Sequence, residues 1–202
     1  MQKTWFTADL HFWHKNICRY SHRPFSSVEE MNEGLIANFN SVVQPFDFVY
    51  HLGDFAFGNR VQKQEIFARL NGIWTFVLGN HDGGLEKSLL EKWPNDKGRG
   101  KITGFHNLLI KSINGVQFVM CHYAMRTWPN SQHGTIQLYG HSHGTLPHHQ
   151  VNGVFLKCMD VGVDSVVDTH RTLFPYSFDE VVEIMKTRGI FAQDHHTEDC
   201  NP

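Results

Sequence analysis

The chain has 202 residues, 41% of them hydrophobic, which is enough to build the core of one ordinary domain. Its 18 Lys+Arg against 20 Asp+Glu leave a formal net charge of -2, so no basic field is available for wrapping long nucleic acid, and no run of ~20 apolar residues is present to span a membrane. Cys18, Cys121, Cys158 and Cys200 are scattered without a C-x-x-C pair, which argues against a disulfide framework and a thiolate zinc site and fits a reducing cytoplasm.

Met1 runs almost directly into the apolar residues Trp5 and Phe6, which leaves no room for a secretory leader, so a cytoplasmic protein is expected. Thr4 to Ala8 reads as the first buried strand. Ser26 with Glu29 forms a capping-box pattern opening an amphipathic helix through Met31, Leu35, Ile36 and Phe39, with Pro45 marking its end region. A strand over Phe46 to Leu52, a helix over Val61 to Leu70 that stops before Gly72, and a strand over Ile73 to Leu78 follow. This β-α-β-α-β order predicts an α/β layered core. Farther on, Leu108 to Ile113 and Val116 to Cys121 flank Asn114-Gly115, the dipeptide that most favours a tight hairpin, so the second half is expected to be antiparallel or mixed. Ile136 to Tyr139 is a further strand, and Ser177 with Glu180 opens a last helix that ends at Gly189. One domain is expected over residues 1–192, with Gln193 to Pro202 a frayed tail.

The residues that follow the strands carry the chemistry: Asp9-Leu10-His11, Gly53-Asp54, Gly79-Asn80-His81-Asp82, His122, and Gly140-His141-Ser142-His143. Singly, each has a dull reading. An Asp at a strand end caps turns, and Gly-Asp or Gly-Asn is an ordinary loop dipeptide. Together, at strand C-termini that converge on one edge of an α/β sheet, they form one cluster of carboxylate, carboxamide and imidazole donors. Such a set without thiolate favours Mn, Fe, Co, Ni or Zn over Mg or Ca, with manganese the first choice.

In type and order these segments resemble the calcineurin-like metallophosphoesterases, whose signature is D-x-H, G-D, G-N-H-[DE], H and G-H-x-H. The likeness covers Asp9 to His143, and the segment Asp160-Val161-Gly162-Val163-Asp164, with Pro175 and a final helix, is similar to compact members. Thr7-Ala8-Asp9-Leu10-His11-Phe12 and His51-Leu52-Gly53-Asp54-Phe55-Ala56-Phe57-Gly58 resemble small bacterial and phage-encoded members. The resemblance implies a layered α-β-β-α sandwich with two mixed sheets and two divalent metal ions. One would be held by Asp9, His11 and His143, the other by Asn80, His122 and His141, with Asp54 shared. It further implies phosphate-ester hydrolysis by a metal-bridged hydroxide, with His81 as proton donor or phosphoryl contact and Asp82 available to orient it.

Around that set, Tyr20, Arg23, Phe55, Arg126 and Trp128 lie close in sequence to the ligand loops and are candidates for gripping phosphate or stacking on a base, the aromatics equally for packing the rim. His14 is read as a substrate contact or a solvated loop residue, and His148-His149 and His195-His196 as solvated. Cys121 ends a buried strand and is not read as a nucleophile. The run after Gly53-Asp54 lacks the Asp-Arg pair of protein phosphatases, so a small phosphate ester is the expected partner. Phosphodiesters such as cyclic nucleotides or short oligonucleotides come first, with a phosphomonoesterase or a non-catalytic binding module as alternatives.

Overall fold

The computed structural model describes residues 2–94, 100–165 and 172–190. In chain order the elements are β1 (Thr4–Thr7), α1 (Ile17–Tyr20), α2 (Val28–Val42), β2 (Phe48–His51), α3 (Arg60–Arg69), β3 (Ile73–Val77), α4 (Leu85–Leu90), β4 (Ile102–His106), β5 (Leu108–Ile113), β6 (Val116–Cys121), β7 (Ile136–Tyr139), β8 (Gln150–Val151), β9 (Val154–Phe155), β10 (Cys158–Asp160), β11 (Tyr176–Ser177) and α5 (Phe178–Lys186). The expected tail and His195-His196 lie outside the described residues.

Two mixed sheets are layered face to face. The first has the order β11-β1-β2-β3-β4, with β1 to β4 parallel and β11 antiparallel to β1. The second has the order β10-β7-β6-β5, in which only β5 and β6 run antiparallel, joined at Asn114-Gly115 as the hairpin pattern predicts. Alternation along the strands sorts the core into layers. Trp5, Val49, Trp74 and Phe76 face Leu35, Phe39 and Phe67 of α2 and α3, while Phe6, Tyr50 and Val77 turn the other way to meet Phe118, Met120, Leu138 and Met159 of the second sheet. Helix α5 closes this inter-sheet layer with Val181 and Met185. A third cluster of Val119, Tyr139, Leu156 and Cys158 lies on the outer side of the second sheet.

Local signals place the helices. Helix α2 is capped by Ser27, whose Oγ accepts the Glu30 N–H at 3.0 Å, while the Glu30 carboxylate accepts the Ser26 N–H at 2.8 Å. The expected Ser26–Glu29 box is therefore displaced by one residue. Helix α3 carries a reciprocal box between Asn59 and Gln62, and α5 the predicted one between Ser177 and Glu180. Among the described residues no helix is long and apolar enough to cross a membrane.

Candidate metal centre

Strands β1, β2 and β3 are parallel neighbours, so the loops leaving their C-terminal ends lie side by side. The loops after β1 and β2 are stitched together: Asp9 N donates to Gly53 O at 2.9 Å, His11 N to Asp54 O at 3.0 Å and Phe12 N to Phe55 O at 3.0 Å. Asp9, His11, Asp54, His141 and His143 all occupy left-handed backbone, with φ of 57, 51, 62, 67 and 48°. Gly53 turns the chain at φ 98°. Gly79 is required for another reason, because a Cβ there would lie 2.3 Å from Asp54 Oδ1.

The two acidic candidates divide their oxygens in the same way. Asp9 Oδ2 accepts the His141 N–H at 2.9 Å, and its Oδ1 is buried without a hydrogen-bond partner. Asp54 Oδ1 accepts the His81 N–H at 2.9 Å, and its Oδ2 lies 3.6 Å from His11 Nε2 and 3.5 Å from His122 Nε2. Each carboxylate thus anchors another loop with one oxygen and leaves the other toward the imidazoles. His122 is oriented by Leu52 O at 2.8 Å from its Nδ1, and His143 by Asp164 Oδ2 at 2.6 Å from its Nδ1, which leaves both Nε2 lone pairs available as ligands.

Two groups of donors result, Asp9 with His11 and His143, and Asp54 with His122 and His141, each with its ligand atoms within 4.8 Å of one another. Asn80 joins the second, its Oδ1 being 3.0 Å from His122 Nε2 and 3.1 Å from His141 Nδ1. Asp54 Oδ2 sits between the two. Burial, followed by the charges of Asp160, Asp54 and Asp164, pushes the Asp9 carboxyl well above its usual range, and burial drives His11 down to about 2. Although burial opposes it, Asp54 is held down to about 2 by hydrogen bonds from His122 and the His81 N–H. These residues fit a pair of divalent cations. The unpartnered Asp9 Oδ1 and the close pair His11 Nε2 and His143 Nε2, 3.2 Å apart, are buried or half-buried donors with an unmet need for positive charge.

Over the groups lies a cavity of about 620 Å³ bounded by His11, Asp54, Asn80, His81, His141 and His143, with His14, Tyr20 and Ser21 on its wall. His81 is exposed in it, its ring 4.6 Å from Phe57 and 5.9 Å from His11. Asp82 does not orient His81: its oxygens accept the N–H groups of Asp54 at 2.8 Å, Phe55 at 2.9 Å and Gly79 at 2.9 Å, so it fixes the two loops to each other. Phe55 is fully buried against Phe12, Phe67, Trp74 and Phe76 and cannot touch a substrate. Trp128 is likewise buried in the third cluster, its Nε1 donating to Thr135 O at 2.8 Å. Arg23 is buried too. It grips Asp164 through Nε at 2.7 Å and Nη2 at 2.8 Å and donates to Asp9 O at 2.6 Å and Leu10 O at 2.9 Å, so it buttresses the site from behind. Arg126 lines a neighbouring cavity rather than this one.

Four contributors have no role in the sequence reading. Asp164 backs His143, Ser21 Oγ lies 3.2 Å from His143 Nδ1, and Phe57 walls His14 at 4.1 Å between ring centroids. Tyr123 is half-exposed, with its ring 4.7 Å from His141 and its hydroxyl 3.4 Å from Asn80 Oδ1. Adjacency to His122 is the sequence signal that could have found Tyr123. Asp164 lies in a segment whose likeness to the family carries no role.

Two layered sheets with donor-bearing loops at the strand ends define a metallophosphoesterase scaffold. The calcineurin-like phosphoesterase family matches residues 2–181, and the chain belongs to that family. An uncharacterized protein of Methanocaldococcus jannaschii is 32% identical over 189 residues, covering 92% of this chain and 93% of that protein. The gene 66 protein of Mycobacterium phage L5 is 35% identical over 86 residues, 41% of each chain. Among solved structures, a protein of unknown function from Aquifex aeolicus superposes with a TM-score of 0.63 at 19% identity, covering 91% of this chain and all 100% of its own, a likeness of fold.

Proposed function

We propose that the protein is a phosphodiesterase that works with two divalent transition-metal ions, manganese first among them, held by Asp9, His11 and His143 on one side and Asn80, His122 and His141 on the other, with Asp54 shared. The observation that carries this reading is the position of Asp54 Oδ2, 3.6 Å from His11 Nε2 and 3.5 Å from His122 Nε2, at the junction of the two groups. When bound, such ions supply Lewis acidity toward a phosphoryl oxygen and activate water near neutral pH.

The protein's own residues position and protonate. In this reading His81, exposed in the cavity and anchored by its N–H to Asp54, gives a proton to the leaving oxygen or contacts the phosphoryl group. Asn80 borders two openings, the cavity of about 620 Å³ and a second of about 570 Å³ lined by Gly79, Lys87, Asn107, His122 and Tyr123. A diester carries organic groups on two of its oxygens, and two openings that meet at Asn80 support diesters ahead of monoesters.

The test is a side-by-side rate measurement with bis(p-nitrophenyl) phosphate and p-nitrophenyl phosphate in the presence of added Mn2+ and other divalent ions. Faster diester turnover, abolished by chelation and restored by metal, is expected. A monoester preference across several metals overturns the diester assignment, and absence of turnover of either ester overturns the catalytic one.

A further inference from the structure

A cavity of about 630 Å³ separate from the one over the donor groups lies on the outer side of the second sheet and is lined by Ala124, Met125, Arg126, Tyr139, Leu146 and residues of the β8–β9 ribbon. Its size is that of pockets that bury a small organic ligand. Two facts tie it to the candidate metal centre. Leu146 lines both this cavity and the one over the donor groups. The loop that delivers His122 runs on directly into Ala124, Met125 and Arg126, and the loop that delivers His141 and His143 runs on into Leu146, so both ligand loops continue as the cavity's walls.

The lining also states what it wants. Met125, Leu146 and Val151 offer apolar faces, Gln150 and Asn152 offer amide donors and acceptors, and among the described residues no acidic side chain lines it. Arg126 is exposed and has no carboxylate partner among the described residues, so its guanidinium is available to an electron-rich ring or an anionic group. Apolar faces with amides and a free guanidinium at their edge suit a flat heteroaromatic ring, which needs burial of its faces and hydrogen bonds at its rim.

We infer that this cavity is a specificity subsite that holds the nucleoside group of a phosphodiester whose phosphorus sits over the donor groups, with Arg126 against the base. The inference rests on the phosphodiesterase reading and names the substrate class for it: a nucleotide ester rather than a simple alkyl or glycerol-type diester.

The test compares two p-nitrophenyl diesters with the same leaving group on the metal-supplemented full chain, the p-nitrophenyl ester of thymidine monophosphate and methyl p-nitrophenyl phosphate. Remote binding energy should favour the nucleoside ester in kcat/KM by about tenfold or more. That ratio should collapse toward unity in Val151→Trp, which fills the cavity, and fall in Arg126→Ala, a surface change that leaves the core intact. Equal efficiency on both esters in the unaltered protein, or an undiminished ratio in both variants, overturns the subsite while leaving the phosphodiesterase reading standing. If neither ester is turned over, that reading falls. Calorimetric titration of the purified protein with thymidine then decides the cavity alone: binding weakened in Arg126→Ala supports it, and no binding overturns it.

Discussion

The two donor groups differ in how they are held. Asp9 and His11 are buried, and His143 is fixed from behind by Asp164, itself clamped by the buried Arg23, which also holds the Asp9 and Leu10 carbonyls. In the other group His141 and Asn80 are exposed, and their side chains meet mainly each other, His122 and the half-exposed Tyr123. Each group has two buried donors, but the half-buried His143 completes the first from the interior side, whereas exposed His141 and Asn80 complete the second at the surface. The lesson is that a single ligand signature spans two levels of preorganisation, with Asp54 the hinge between them.

The most drastic way to break the comparison is to remove that hinge. Asp54→Ala is expected to abolish turnover, by about 10⁴-fold or more, and to deplete both groups of metal, so elemental analysis that finds wild-type metal content speaks against a shared ligand. Removing His81, which is a donor in neither group, should leave metal content intact while turnover falls by roughly 10²–10⁴-fold. A rate loss much larger with a ribose leaving group than with nitrophenolate identifies proton donation, and equal losses identify a phosphoryl contact.

The buttress distinguishes the two halves more finely. Arg23→Ala removes the cation paired with the buried Asp164 carboxylate, leaving it only His143, and should cost about 3 kcal/mol of stability in a urea titration, whereas exposed His141→Ala should leave the midpoint nearly unchanged. A midpoint for Arg23→Ala close to wild type shows that the interior half is not held as described. Smallest of all, Asp164→Asn keeps the packing but loosens the hold on His143, and should weaken metal affinity at the interior group by about 10–100-fold without changing the surface group. Two-step calorimetric titration with Mn2+ separates the two affinities, and a parallel loss in both merges the halves into one.

The donor loops were legible because each follows a short apolar run, and such runs are the strands that the core needs. Strand β4 left no comparable trace, since Thr103, Gly104 and His106 break its apolar pattern at the edge of the sheet. The start of α2 is ambiguous in the sequence itself, where Ser26-Ser27 and Glu29-Glu30 allow two registers of the same cap, and only the backbone chooses between them. Phe55 shows the limit of proximity along the chain: beside Asp54 in sequence, it points into the aromatic core on the other side. Asp82 shows another limit. Its carboxylate is spent on three backbone N–H groups, two in the neighbouring loop and one in its own, partners that carry no side-chain signature.

The left-handed backbone at Asp9, His11, Asp54, His141 and His143 has an evolutionary consequence. Side chains other than glycine are disfavoured there by on the order of 1 kcal/mol each, so the chain carries its reactive residues against its own folding preference. A descendant released from selection for catalysis would gain by drifting toward glycine at these positions, recovering durability as it lost its chemistry. Aspartate and histidine retained at all five would then be the mark of a lineage still at work.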